Sequence, residues 1–406
     1  MRVCVLGAGI VGLATAYALS SAGHEVTVID QGLPGSGASG GNGSQLSYSY
    51  VQPLADPGIW AQLPKLLLSP TSPLKIKPQL DPYQWLWGLR FLAACNAATS
   101  RQTTTELLQL ALESRQAFDA MMSVECLDCD FSNTGKLVIF SSAAAFDSAR
   151  RQMLLQRAMG SAQEAVDADR CVALEPALQH QHQRIAGAIY TPGECAADCQ
   201  KTCDGLMSVL LARGVQFLLH TAIDRLVVRR GSVAAVSTSK GLIEADHYVM
   251  ALGAAAAPMA RTLGVHLPIY PLKGYSITVE LDGPATAAPR ISVTDSDRKV
   301  VFARIGSRLR VAGMAELAGY STAIEMPQIA SLKASTQAVF PGCSALTQLN
   351  AWAGLRPVTP TARPIIGRHA KGPDNLLFNV GHGALGFTLA FGSAGRIKRL
   401  LLAPSF

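Results

Sequence analysis

Charge is scarce in this sequence: Asp, Glu, Lys and Arg make up 16% of 406 residues, against 49% hydrophobic. Such a chain has the apolar material for a core, which excludes disorder. Aromatics are scarcer still, at 6%. The net charge of +7, from 35 basic and 28 acidic residues, is spread without any Lys or Arg block. The basic stripe and stacking platforms that nucleic-acid binding needs are therefore missing, although a mildly basic surface suits carboxylate substrates and anionic lipid. No uninterrupted apolar run reaches the ~18 residues of a membrane-spanning helix. No histidine stands at zinc-finger spacing from Cys126 and Cys129, or from Cys195, Cys199 and Cys203, so no metal site is expected. Nine cysteines, an odd number, fit reduced, buried thiols of an intracellular protein rather than a disulfide framework. No internal repeat or low-complexity linker is visible.

What is present is length and order. At ~100 to 200 residues per domain the chain makes two or three domains, enough to enclose a cofactor and a dry pocket. Arg2 and the apolar run to Ser20-Ser21-Ala22 have the outline of a secretory signal. Three glycines inside the run, and a second strand after it, fit a folded motif better.

That motif begins with Val3-Cys4-Val5-Leu6, the continuous apolar run of a parallel strand buried on both faces. Gly7-Ala8-Gly9-Ile10-Val11-Gly12 follows, then a helical stretch to Ser21, a stop at Gly23, and a second strand closing on Asp30. In dinucleotide binding Gly7 makes the tight turn, Gly9 lets backbone approach a pyrophosphate and Gly12 allows close helix-to-strand packing. The helix start, through Ile10 and Val11, offers N–H groups and a positive dipole end to phosphate. Asp30, 21 residues after Gly9, is placed to accept from ribose hydroxyls and disfavours a 2′-phosphate.

The motif alone does not separate FAD from NAD. After the second strand comes Ser36-Gly37-Ala38-Ser39-Gly40-Gly41-Asn42-Gly43-Ser44-Gln45, where an NAD domain would go on to another helix. Near the other end a strand leads into Gly381-His382-Gly383-Ala384-Leu385-Gly386-Phe387 and a helix. Two Gly-rich turns from opposite ends of the chain, converging on one long cofactor, favour FAD.

On these residues the sequence resembles the FAD-dependent D-amino acid oxidase superfamily, and within it the bacterial D-amino acid dehydrogenase small subunit. Further matching stretches are Gly135-Lys136-Leu137, Glu175 to Leu178, Asp198-Cys199-Gln200, Tyr270 to Ser276, Gly313 to Glu316 and Trp352 to Pro360. The resemblance covers nearly the whole chain, with a shorter C-terminal tail than is usual there. It implies an α/β fold: a Rossmann-like FAD-binding domain (1–60, 150–255 and 345–406) interleaved with a substrate domain on an antiparallel sheet (61–149 and 256–344). It implies FAD contacts at Ser39, Asn42, Gly43, Ser44, Gln45, Ile223, Gly253, Gly381, Gly383, Ala384, Leu385, Gly386 and Phe387, beside those of the opening motif.

The resemblance also implies the substrate site. The Arg of Gly354-Leu355-Arg356-Pro357 would bind the substrate carboxylate, since a guanidinium fork matches it with two parallel hydrogen bonds. Tyr275 and Lys273 lie where relatives place a ligand-shaping group, with a strand tyrosine packed against the sheet as the equal alternative. His382 falls beside the expected flavin position, and neither Gly383 nor Ala384 supplies the second substrate arginine of glycine oxidases. The implied reaction is oxidative deamination of D-amino acids, with hydride transfer from the α-carbon to flavin N5 and release of a 2-oxo acid and ammonia. Electrons would pass to a quinone or another non-oxygen acceptor. The alternatives are a cyclic or secondary amino acid substrate such as hydroxy-D-proline, or a non-catalytic flavin subunit of a hetero-oligomer. The expected location is cytoplasmic, with peripheral contact on the inner membrane left open by Trp60, Trp85, Trp87, Lys65, Lys75, Lys77 and Arg90, the alternative being that these tryptophans pack the substrate domain or cover the pocket.

Overall fold

Val3 to Leu6 gives a strand no polar face to turn outward, and it is buried on both sides. In the computed structural model, which describes residues 1–51, 53, 55–60, 74–157 and 161–402, Arg2–Leu6 lies inside a sheet of six described strands. Their order is Ile365–Gly367, Leu376–Val380, His247–Met250, Arg2–Leu6, Glu25–Ile29 and Gln216–Leu218. All neighbours run parallel except the first pair. Alternation along Arg2–Leu6 sends Val3 and Val5 into a core formed with helices Ile10–Ser20, Ala97–Glu125, Cys199–Ala212 and Gly386–Leu402. Cys4 and Leu6 enter the opposite core, with Ala256, Ala260 and the small sheet around Leu226 and Val236. This is the doubly covered parallel sheet that the apolar run requires.

The second sheet follows the order Leu349–Val358, Tyr270–Glu280, Arg308–Leu317, Val300–Ile305, Ser292–Asp295, Lys136–Phe140, Gly187–Thr191 and Glu164–Val166, with Leu74–Ile76 beside Arg308–Leu317. It is mainly antiparallel. Strands Glu164–Val166, Gly187–Thr191 and Leu349–Val358 pair here, although the boundaries expected from sequence assign them to the cofactor domain. Short stretches carry no mark of which sheet will take them; pairing with distant strands decides.

One face of this sheet packs Tyr275, Ile277, Val279, Val311, Phe302 and Val293 under helix Met326–Val339. Period-two alternation puts Trp352, Gly354 and Arg356, then Leu272, Gly274 and Ser276, then Arg310 and Ala312, then Val301, then Lys136, on the other. That second face meets the parallel-sheet unit.

All nine cysteines are free, and only Cys126 is exposed. Among the described residues no cluster could hold a metal ion, and no helix is long and apolar enough to cross a membrane.

Candidate active site

The glycines of the opening motif are explained by contacts. Gly7 has φ +110°, and a Cβ on it would lie 2.5 Å from the Ala251 carbonyl oxygen. A Cβ on Gly12 would lie 1.9 Å from the Gly7 carbonyl oxygen, so helix and strand touch backbone to backbone. Helix Ile10–Ser20 begins at Gly9, which has no side chain to cap it. The Ser39 hydroxyl accepts from the Ile10 N–H instead, at 3.0 Å. Asp30 accepts from the Ala8 N–H at 2.7 Å and the Gly32 N–H at 2.8 Å, leaving each carboxylate oxygen a further lone pair. Ile223 opens the neighbouring small sheet, two residues after Thr221, whose N–H donates to the Asp30 carbonyl at 2.9 Å. Gly253 follows strand His247–Met250, with φ +55° and open space at its Cβ.

The Gly-rich segment runs across the second sheet. A Cβ on Gly41 would lie 2.0 Å from the Trp352 ring, and one on Gly354 2.1 Å from the same ring, so the indole lies against both glycines. Ser276 donates to the Gly41 carbonyl at 2.7 Å, and Gly43 faces Val301 and Ala312. The segment then reaches Ser47, whose hydroxyl accepts from Lys136 Nζ at 2.9 Å. Burial pushes Lys136 down to about 8, with nearby Glu194 opposing the shift. Glu194 is itself raised by burial, against the pull of Lys136.

Arg356 is half-buried on this face. Its Nη1 donates to the Met314 carbonyl at 3.0 Å, and it forms no ion pair in the described structure. Burial lowers its pKa, yet a guanidinium keeps its charge at neutral pH. An anchored cation without a counterion has donors free for an anion.

At the C-terminal turn, His382 is buried and joined to Val358 by a backbone bridge. Burial pushes it down to about 4, so its ring is neutral at pH 7. Helix Gly386–Leu402 starts there, beside helix Ile10–Ser20 and with its N-terminus at the same edge of the parallel sheet. Leu385 and Phe387 turn their side chains into apolar cores, Phe387 edge-on to Phe118 at 6.2 Å. Gly383 and Ala384 bring little beyond backbone to this turn, and Gly386 faces only the His382 Cβ.

The chain matches the model of the FAD dependent oxidoreductase (DAO) family over residues 2–400. It belongs to that family. D-amino acid dehydrogenase 2 of Ralstonia nicotianae is 46% identical over 411 residues, covering 99% of this chain and 96% of the relative. D-amino acid dehydrogenase 2 of Pseudomonas aeruginosa is 44% identical, covering 98% and 93%. Among solved structures, glycine oxidase from Geobacillus kaustophilus superimposes with a TM-score of 0.78 at 19% identity over 99% of this chain and 95% of that one. L-proline dehydrogenase from P. horikoshii gives 0.77 at 17% identity over 98% and 92%; both show the shared fold.

The residues of this FAD dependent oxidoreductase fit its cofactor. Among the described residues the N–H groups of Gly9, Gly41 and Gly43 find no acceptor in the protein. Buried Ser44 Oγ, Gln45 Nε2 and His382 Nε2 likewise lack partners. Donors left open along the Gly-rich turns are what a pyrophosphate and an acceptor-rich ring system would take up. Asn42 is occupied locally, its side chain accepting from the Ser44 N–H at 2.8 Å.

Tyr275 and Lys273 are not beside Arg356. They project from the opposite face of strand Tyr270–Glu280, because odd-numbered positions there turn toward helix Met326–Val339. The Tyr275 hydroxyl donates to buried Glu316 at 2.9 Å, Gln328 donates to the same carboxylate at 2.6 Å, and Lys273 Nζ lies 5.1 Å from the Tyr275 ring centroid. Burial, then the Glu316 bond, raises the phenol pKa. The packed alternative is the one observed. Trp87 also packs inside, donating to the Val358 carbonyl at 2.9 Å and stacked on Phe91, whereas Trp85 is exposed. Trp60 is exposed too, with its indole N–H on the Cys95 carbonyl; Lys65 lies outside the described residues.

Sequence reasoning missed Trp352, Ser276, Arg310 and Lys136. The signal for Arg310 was present: in Arg308-Leu309-Arg310-Val311 an interior strand position alternates charge against apolar residues, marking a face that is not ordinary core.

Proposed function

We propose that this FAD dependent oxidoreductase is a D-amino acid dehydrogenase, which converts D-amino acids to 2-oxo acids and ammonia. The observation that carries this is Arg356, a held but unpaired guanidinium on the face that the Gly-rich cofactor segment crosses. The names of the two relatives at 46% and 44% identity support the same class.

FAD, when bound, supplies the two-electron acceptor for the hydride leaving the α-carbon. Gly9 and the start of helix Ile10–Ser20 would hold its pyrophosphate, Asp30 its ribose, and Gly41, Gly43, Ser44 and the His382 turn the remainder. Arg356 grips the carboxylate through two parallel hydrogen bonds and fixes which substrate face is presented. Gly274 leaves its guanidinium room, and the Met314 carbonyl stops it from swinging. Neutral His382 adds no positive charge against the substrate ammonium, and the start of the C-terminal helix stabilises negative charge developing beside it.

For the acceptor we propose a quinone or another non-oxygen oxidant, collected at the cytoplasmic face of the inner membrane. Helix Pro82–Ala94 supports this, since Trp85, Leu86, Leu89 and Arg90 are all exposed on it, the mix that seats a helix in a lipid interface.

The test is anaerobic mixing of the yellow protein with D-, L-, N-methyl and cyclic amino acids, following flavin absorbance. Bleaching by D-amino acids, abolished in Arg356→Ala with FAD retained, is expected, with kcat/KM falling by ~2 to 5 kcal/mol in transition-state terms. Bleaching only by cyclic or N-alkyl amines would replace the substrate class, and unchanged kinetics in Arg356→Ala would remove the anchor.

A further inference from the structure

Strand Arg308–Leu317 carries two arginines on one face, and they are treated differently. Arg308 is neutralised: its Nη2 lies 2.8 Å from Asp198 and 3.3 Å from Asp130. Arg310, 6% exposed, has no carboxylate partner. Its Nη1 donates to the carbonyls of Gly40 at 3.1 Å and Asn42 at 2.9 Å, and its buried Nε is without a partner. Ser276 takes the carbonyl between them, that of Gly41.

Three consecutive carbonyls are thus turned onto the substrate sheet. Because C=O and the following N–H point opposite ways across a planar trans peptide, the N–H groups of Gly41, Asn42 and Gly43 turn away from that sheet. Asn42 spends its N–H on the Ser39 carbonyl at 3.4 Å; Gly41 and Gly43 keep theirs open. Burying a guanidinium against neutral carbonyls alone is costly, and an apolar side chain of similar length would fill the space. We propose that Arg310, seconded by Ser276, is a positioning residue for FAD: it orients the Gly40–Gly43 peptides so that their donors face the cofactor. FAD affinity then depends on a residue of the substrate sheet that acts through the Gly40–Gly43 backbone. The inference rests on the FAD reading of the site.

The experiment is FAD titration of apoprotein by flavin fluorescence, with melting curves of apo and holo forms, for wild type, Arg310→Met, Arg310→Lys and Ser276→Ala. Arg310→Met should weaken FAD binding by about 10- to 100-fold, and Ser276→Ala by about 3- to 10-fold, with the apoprotein melting near wild type. Arg310→Lys, whose ammonium can still donate to both carbonyls, should recover most of the loss. Affinity within threefold of wild type in Ser276→Ala and in whichever Arg310 variants fold overturns the proposal. So does an equal fall in apo and holo melting temperature at unchanged affinity, which marks a purely structural role. Failure of wild type to bind FAD would overturn the cofactor reading itself.

Discussion

Gly274→Ala isolates the substrate anchor from everything around it. Gly274 faces Gly354 across the strand pair, between the Leu272–Arg356 and Ser276–Trp352 pairs, and the Arg356 guanidinium folds over it. A Cβ there would stand 2.4 Å from Nη2 and 2.5 Å from Cζ. Ordinary contact begins near 3.4 Å, so the guanidinium must retreat by about 1 Å (3.4 − 2.4), which loosens its bond to the Met314 carbonyl. A misplacement of that size costs roughly 100-fold in rate, or about 3 kcal/mol of barrier. Stability should hardly change, because the obstructed atoms end a flexible side chain and alanine is favoured over glycine in a strand by about 0.5 to 1 kcal/mol. The assay is stopped-flow reduction of the flavin by D-amino acids without oxygen, with FAD content and thermal melting measured on the same preparation. Full FAD, a wild-type melt and kcat/KM within threefold of wild type would refute the geometry. A double-mutant cycle sharpens the result: if Gly274 acts only through Arg356, Gly274→Ala adds nothing to Arg356→Ala.

Tyr275→Phe should leave kcat/KM within about twofold while costing roughly 1 to 3 kcal/mol in urea unfolding, since buried Glu316 loses a donor; a tenfold loss of turnover at full stability would put the phenol in the site. His382 gives a pH signature. Its folded pKa of about 4 lies below the unfolded value near 6.5, so the unfolded chain takes up the proton first and stability is lost as pH falls from about 6.5 toward 4. Between pH 6.5 and 4.5 this amounts to about 2 kcal/mol. His382→Gln apoprotein should lack that increment in urea unfolding, and an identical acid slope in both proteins would reject the assignment.

The proposed cofactor half of the site was open to sequence reasoning because its pattern is local in the chain. Gly7, Gly12 and Asp30 stand at fixed offsets within one strand-helix-strand unit, and the Gly381–Phe387 turn is read the same way. The substrate half depends on facing. Nothing between Leu272 and Ser276 says which alternate residues share the face of Arg356; that is settled by pairing Tyr275 with Ala353 and Gly313, residues distant in sequence. A register shift between Lys273 and Tyr275, opposite Met314 at φ +58°, further obscures the pattern. Phe387 shows the same limit at smaller scale, since the turn was visible while the direction of its side chain, into the Phe118 core, was not.

Strand Tyr270–Glu280 serves both sides of its sheet at once. Gly274 and Ser276 give space to the anchor and a hydrogen bond to the cofactor segment, while Tyr275, Ile277 and Val279 fill the opposite core. A single inserted or deleted residue ahead of Gly274 would exchange the two sets, sending a phenol and two aliphatic chains against the cofactor segment and two residues with no apolar bulk into the core. The strand's tolerance of length variation is therefore near zero up to Ser276, and extra residues are better absorbed past its end, where Asp282 and Pro284 are exposed.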